Sequence, residues 1–324
     1  MNHYRSFHTA MRERFGCKVY KLALDGGMTC PNRDGTLGTR GCIFCGDQGS
    51  GTFAEPCCGS IRDQLEAAKR RVAHKNRGGK YAAYFQSFTN TYAPLTYLED
   101  IFTQATEPEE VCALSVATRP DCLPDETLAM LERLNRQKPV WVELGLQTVH
   151  PDTARFIRRG YDLPVYDEAV RRLKAAGIEV VTHVILGLPG ESREEMLETV
   201  RYVGRSGADG IKLQLLHVLE GTDLASHWRA GNVPLPSLEE YIALLEDCLA
   251  ELPPNLVIHR LTGDGAKRDL LAPLWTADKK RVLNAIRAAF DRDRVVQGSR
   301  WNNEKAPSET EVQKTTGGIS HDQN

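Results

Sequence analysis

The chain has 324 residues, 41% of them hydrophobic, which is enough for a sizeable core in one or two domains. A formal charge of −2 and a pI near 6.5 exclude a global attraction to polyanions, so any nucleic-acid contact must come from a local patch. Nine cysteines, an odd and sparse count, exclude a disulfide scaffold; with no apolar leader after Met1 and no apolar run near about 18 residues, the expectation is a cytoplasmic protein without a membrane span.

The first predicted strand runs from Val19 to Leu24 and leads into a loop rich in glycine and cysteine. Tyr81 to Phe85 and Cys112 to Thr118 read as the second and third strands, with a helix between them announced by a capping box, Thr96-x-x-Glu99. Val140 to Gln147 is the fourth strand. Behind Pro164, the residues Tyr166, Val170 and Leu173 share one helix face before Gly177. Glu179 to Leu186 is the fifth strand, and the capping box Ser192-x-x-Glu195 opens a helix whose Met196, Val200 and Val203 face the core before Gly207. Gly210 to His217, a third capping box at Ser237-x-x-Glu240, and Leu256 to Leu261 complete the pattern.

This alternation is that of parallel βα units. Six or seven units fall short of the eight of a closed barrel, so the expected fold is α/β, a partial (β/α)6-type TIM barrel with its active site at the carboxyl ends of the strands. The barrel core, with an N-terminal extension, is expected over 1–265 and a C-terminal helical extension over 266–302. From 303 to 324 apolar residues nearly vanish, and a disordered tail is expected.

Cys30, Cys42 and Cys45 are the most chemically committed residues. Three thiolates can hold three irons of a 4Fe-4S cubane and leave the fourth open to a small molecule, whereas a fully ligated cluster mainly transfers electrons. The segment between Cys30 and Cys42 contains a proline and several glycines but no apolar run, as suits a loop wrapped around an inorganic group. A structural zinc site, with Cys57 or Cys58 as fourth ligand, stays open on spacing alone. An auxiliary cluster at Cys57 and Cys58 lacks further spaced cysteines nearby. Phe44, directly before the last cysteine, is either an adenine neighbour or an ordinary buried aromatic.

With these residues in place the chain resembles the radical S-adenosylmethionine (SAM) superfamily, in which such a loop follows the first strand of a partial barrel. Eleven residues separate Cys30 from Cys42, a longer gap than in most members. It is similar to the gap in the branch that includes the catalytic subunit of Elongator. Thr118 to Asp121, Val142 to Thr148 with Arg158-Arg159-Gly160, Gly187 to Gly190 and Glu220 to Leu224 resemble segments of that branch in the same order. Tyr84 to Tyr92 and Leu261 to Gly265 look closer to a bacterial group of stand-alone proteins called the YhcC type, whose members lack Elongator's acetyltransferase domain. Fewer than sixty residues follow Gly265 here.

The resemblance implies an enzyme in which Cys30, Cys42 and Cys45 ligate a 4Fe-4S cluster that reductively cleaves SAM to a 5'-deoxyadenosyl radical. The electron would come from a reductant such as flavodoxin or ferredoxin. Family members often place a polar segment after the second strand against the SAM amino group, and here Gln86 or Ser87 occupies that position. Glu143 and Gln147, four apart on one strand, point to one face and would be compensated by a ligand such as the SAM ribose, or by a structural hydrogen-bond network. Arg155, Arg158 or Arg159 could pair with the SAM carboxylate, or simply start a solvated helix. Gly187 and Leu188 would let backbone approach the adenine, or form a plain strand-to-helix turn. Arg119 and Asp121 could touch substrate or pair with each other, and His183 and His217 read first as satisfied core histidines.

For substrate, Lys69, Arg70, Arg71, Lys75, Arg77 and Lys80 precede the aromatic run from Tyr81 to Tyr92, a pairing that can bind single-stranded RNA or be merely a solvated helix face. The similarity to Elongator, which modifies the wobble uridine of tRNA, puts RNA modification first. A small metabolite or cofactor precursor is the alternative substrate, and a metal-stabilised binding protein without turnover is the alternative of another class.

Overall fold

Buried β-branched and aliphatic runs dictate the centre of the molecule. The structure, a computed structural model, describes residues 2–47, 49, 59–263, 265 and 267–302. Its strands are β1 (Val19–Leu24), β2 (Lys80–Phe85), β3 (Val111–Thr118), β4 (Val140–Gln147), β5 (Glu179–Leu186), β6 (Gly210–Leu215), β7 (Val218–Leu219), β8 (Val257–Arg260) and β9 (Leu270–Ala272). The helices are α1 (Phe7–Phe15), α2 (Ile61–Val72), α3 (Leu95–Thr106), α4 (Asp125–Asn135), α5 (Pro151–Phe156), α6 (Leu163–Ala175), α7 (Arg193–Arg205), α8 (Asp223–Arg229), α9 (Leu238–Ala250) and α10 (Lys279–Asp293).

Seven strands form one parallel sheet in the order β1-β2-β3-β4-β5-β6-β8, with consecutive pairing throughout. This is the half-barrel expected from the βα alternation. Every residue of β3 is buried, because helices cover its outer face and the barrel interior its inner one. Leu22, Phe85, Leu114, Val142, Val180 and Leu213 carry the largest core cluster, against helical residues such as Phe102, Tyr166 and Val200. Strand ends differ from the expected ones by a residue or two, the sixth stopping at Leu215 instead of His217.

The capping boxes at Ser192 with Glu195 and Ser237 with Glu240 form as read. The one expected at Thr96 does not. There α3 starts behind Pro94, which makes no side-chain cap, and Thr96 lies exposed inside the helix. Pro94 fixes its own φ at a value suited to helix entry, so the start falls two residues early. A capping box that the spacing rule would equally have found, Ser60 with Asp63, opens α2.

The N-terminal extension closes the sheet's last edge. Ile258 N donates to Arg5 O at 2.9 Å, and Ser6 then N-caps α1. Phe7, the first residue of α1, reaches beneath the barrel interior and meets Trp141 edge-on at 5.8 Å and His259 at 5.0 Å. At the other end β7 and β9 form a short antiparallel pair beside α8. Cys57, Cys58 and the segment 303–324 lie outside the described residues.

Candidate active site

The loop after β1 is held on both sides by backbone bonds. Arg33 N and Asp34 N donate to Cys30 O at 2.8 and 3.2 Å, Gly41 N donates to Asn32 O at 2.7 Å, and Cys45 N to Cys42 O at 3.0 Å. Ile43 N donates to Ile157 O, while Leu224 N donates to Ile43 O, so segments after β4 and β6 clasp the loop between its last two cysteines. A second core of Ile43, Ile157, Leu188, Leu216 and Leu224 sits behind this clasp, and half-buried Phe44 packs against it.

Asn32 is the loop's internal anchor. Its side-chain amide donates to Arg158 O at 2.7 Å and to Arg159 O at 3.3 Å, and approaches Cys42 Sγ at 3.5 Å. Gly160, with φ +84°, is required here: a Cβ would stand 2.8 Å from Asn32 Oδ1. This explains physically why Arg158-Arg159-Gly160 accompanies the cysteine loop.

Cys30, Cys42 and Cys45, all half-buried, line one end of a cavity of about 580 Å³ that runs down the barrel interior to Phe7 and His8. The Cys42 thiol is drawn down to about 7, first by its hydrogen bond with Cys45, against the effect of burial, and further by Asn32, Arg119 and Arg158. Cys45 is pushed the other way by the same bond and by burial, so one thiol of the pair ionises readily. Soft, ionisable sulfurs on one loop, with donors aimed at them, fit an iron–sulfur cluster. Among the described residues no three His, Cys, Asp or Glu side chains are grouped around a single metal ion, and Cys57 and Cys58, the fourth ligands of the zinc reading, lie outside the described residues.

Phe44, Gln86, Glu143 and Gln147 line the cavity, as do Arg119 and Arg159. Ser87, Arg155, Arg158, Gly187 and Leu188 do not. Ser87 is buried behind the wall, and Arg155 pairs with Asp152 on the surface. Arg158 turns to Asp223 of α8, and Leu188 belongs to the second core. Gly187 N donates to Met196 Sδ at 3.0 Å, consistent with a strand-to-helix turn. Arg159 caps the end of β4 by donating to Leu146 O and Thr148 O at 3.1 and 2.6 Å. Arg119 and Asp121 pair with each other through two bonds of 2.9 and 2.7 Å.

The expected common face of Glu143 and Gln147 is broken. A register shift between Gly145 and Gln147 and a φ of +65° at Gln147 end the alternation. Turned so that its nitrogen donates, the Gln147 amide lies over its own strand, 3.1 Å from Gly145 O and 3.0 Å from Leu146 O. Glu143 sits deeper and fully buried, where Oε1 accepts from Lys21 Nζ at 2.5 Å and Ser115 Oγ at 2.7 Å. Oε2 accepts from His183 Nε2 at 2.7 Å and from Lys212 Nζ. With its acceptors filled by the protein, Glu143 is the hub of a network and has no call for a ribose. Burial pushes its carboxyl up, but Lys21, Lys212 and His183 together hold it well below the usual range.

Lys21, Tyr84, Lys212, His259 and Arg260 were missed from the sequence, though all line the cavity. Lys21 and Lys212 stand on strands whose inward face the period-2 rule assigns to one set of residues. A lysine in the middle of an otherwise apolar strand was the available signal. The basic run around Lys69 to Lys80 lies at the opposite end of the barrel from the cysteines, where Lys80 N donates to Lys18 O before β1. Lys69 there pairs with Glu66 and Glu110. Of the aromatic run that follows, Tyr81, Tyr84 and Phe85 belong to β2 and the last two are buried, so they do not offer a surface for stacked bases beside the basic run.

Comparison with known proteins agrees with this architecture. A model of the Radical SAM superfamily matches residues 35–203, and one of the Radical_SAM C-terminal domain matches 208–292. The chain is 43% identical over 295 residues to the Bacillus subtilis protein YtqA, covering 91% of this chain and 92% of that one. The chain belongs to the radical SAM superfamily.

To the Escherichia coli protein YhcC the chain is 38% identical over 83% of its length and 86% of YhcC. A Dehalococcoides mccartyi protein named tRNA uridine(34) acetyltransferase is 28% identical over 62% of this chain and 44% of its own length. Among solved structures, Elp3 of the archaeon Methanocaldococcus infernus superposes with a TM-score of 0.66 at 17% identity, covering 86% of this chain and 64% of that one. The chain is thus a radical SAM enzyme with the half-barrel of that superfamily, and the family implies a 4Fe-4S cluster and SAM as cofactors. No described helix is long and apolar enough to cross a membrane.

Proposed function

We propose that Cys30, Cys42 and Cys45 hold the cluster, that SAM binds beside them in the barrel cavity, and that the enzyme modifies a base of tRNA or another RNA. The observation that carries this reading is the meeting of all three thiols and Phe44 at one end of a single interior cavity. When bound, the reduced cluster supplies an electron that cleaves SAM, with flavodoxin or ferredoxin as the class of reductant.

The chain's own residues set the stage for that step. The clasp from Ile157 and Leu224 fixes the loop, and Asn32 holds Cys42 in place. Phe44 offers one ring face at the cavity wall for an adenine, while Gln86 and Gln147 supply polar groups there. The apolar second core behind Phe44 keeps water from the loop's rear.

The RNA reading is supported by the likeness to Elongator-type proteins, among them one named for tRNA uridine 34. The cavity falls in the range of about 300–1,000 Å³ typical of small-molecule sites, so beside SAM it can admit an RNA only as a single extruded residue. Contact with the rest of the RNA falls to loops beyond the strands' carboxyl ends, where Arg40 and Arg268 are exposed after β1 and β8. The test is a mass-spectrometric comparison of tRNA nucleosides from cells with and without the gene. A nucleoside that accumulates and one that disappears are expected. An unchanged tRNA profile with a changed small-metabolite profile would replace RNA by a metabolite.

A further inference from the structure

Among the described residues, the floor of the cavity gathers several basic side chains around one carboxylate. Lys21 is the third residue of β1 and Lys212 the third of β6, whereas Cys30 lies beyond the carboxyl end of β1. The lysines therefore occupy the end of the cavity away from the cysteines, closed below by Phe7, over whose ring Lys21 Nζ stands at 5.0 Å. Among the described residues, Lys21, Lys212 and Arg260 line this region together with His183, His259, Tyr84 and one carboxylate, Glu143. Burial and the neighbouring cations keep His259 well below its ordinary value, and burial with Lys212 brings His183 down to about 4, so both histidines are neutral at pH 7.

Glu143 can balance only one of the two lysines when both are protonated. Among the described residues each protonated lysine has a donor beyond its bonds: Lys212 Nζ uses one hydrogen on Glu143 and one on Tyr84 Oη at 3.0 Å, and Lys21 Nζ bonds Glu143 and meets His259 Nδ1 at 3.4 Å. An ammonium carries three donors. Unbalanced buried charge is costly, and it is repaid when an anion arrives.

We infer that Lys21 and Lys212 form a subsite for one carboxylate group of the molecule that enters the cavity. This deepens the proposed function: the extruded substrate residue carries an acidic substituent, which the floor grips while the part to be altered faces the cysteine end. Lys21 and Lys212 already bond the two oxygens of one carboxylate, Glu143, and their remaining donors suit those of a second. Lys212, held down to about 7 by burial first and then by Lys21 and Arg260 against the pull of Glu143, takes up a proton as the anion binds. SAM also owns a carboxylate, but the family reading places that group at the cluster, at the cavity's far end.

The test uses anaerobic, cluster-loaded protein and titration calorimetry near pH 7.5 in buffers of different ionisation enthalpy, with sodium acetate as probe in the presence of saturating SAM, and with SAM alone. Acetate is expected to bind at one site with uptake of protons. Lys21→Met and Lys212→Met should each weaken it by about tenfold or more, equal to about 1.4 kcal/mol. Lys212→Arg should restore binding but not proton uptake, a distinction that a merely structural lysine would not produce. SAM affinity should stay within about twofold in all three variants, since the lysines do not touch it. Equal acetate binding by wild type and both Met variants would overturn the subsite. A parallel loss of SAM affinity would assign the lysines to the SAM carboxylate instead. Because acetate binding needs no RNA, failure here leaves the RNA reading standing, and an unchanged tRNA profile leaves the subsite standing.

Discussion

Asn32 and Cys42 sit with amide nitrogen and sulfur 3.5 Å apart, and the same amide reaches across to the carbonyls of Arg158 and Arg159. One side chain thus ties a cluster-loop cysteine to the segment after β4. Asn32→Ala would strip Arg158 O of its amide donor, while Arg159 O keeps Arg119 Nη1 at 2.8 Å, and should destabilise the fold by about 1–3 kcal/mol. Iron bound per chain after anaerobic reconstitution should fall as well. Full iron content in this variant would show that Asn32 is a bystander.

Glu143 is the only carboxylate among the described cavity-lining residues, and two lysines bond it. Glu143→Gln should cost about 3–5 kcal/mol in urea unfolding, because it leaves buried ammonium groups without a counter-charge. The double change Glu143→Gln with Lys212→Met should recover part of that loss. If the double variant is no more stable than the single one, the pair is not coupled as described.

The pH dependence of stability carries a defined sign. Lys212 is held down to about 7 in the folded protein, chiefly by burial, against about 10.4 when unfolded. Between these values the unfolded chain binds a proton that the folded protein has released, so this group makes stability rise with pH from about 7 to about 10. Below that window both states are protonated and the slope vanishes. Urea unfolding across the window should show a shallower rise for Lys212→Met than for wild type, and equal slopes would contradict the assignment.

How far the sequence went is best judged on particular residues. Strand β4 was bounded correctly, since eight residues of mixed β-branched and aliphatic character have one obvious reading. The facing of its last side chain was not legible, because the alternation rule assumes regular strand and Gln147 leaves it with a positive φ. Ser192 and Ser237 were legible as caps because hydroxyl and carboxylate satisfy backbone donors locally. Thr96 misled because Pro94, two residues earlier, decides where the helix begins. The role of Glu143 was invisible for a different reason. Its partners come from β1, β3, β5 and β6, and no local rule brings four strands to one atom pair.

The contrast between the two kinds of cap is itself measurable. Ser192→Ala removes the hydroxyl that accepts from Glu195 N and should cost about 1 kcal/mol, whereas Thr96→Ala, exposed within α3, should change stability by less than about 0.5 kcal/mol. Equal losses would mean that Thr96 has a capping role after all.

The position of the basic run also makes a prediction. Lys69, Arg70 and Arg71 stand at the end of α2 that faces away from the cysteine loop. Changing all three to alanine should leave the rate of tRNA modification within about twofold, because their charges do not border the cavity's cysteine end. A large loss in that variant would place the RNA path along α2 and contradict the account of the mouth.

Iron content together with 5'-deoxyadenosine release from anaerobic, reduced protein decides whether Cys30, Cys42 and Cys45 form a SAM-cleaving site. A brown protein with about four irons is expected, together with cleavage of SAM that is lost in Cys30→Ala, Cys42→Ala and Cys45→Ala alike. A colourless zinc protein, or SAM cleavage retained in any one of the three variants, would contradict it.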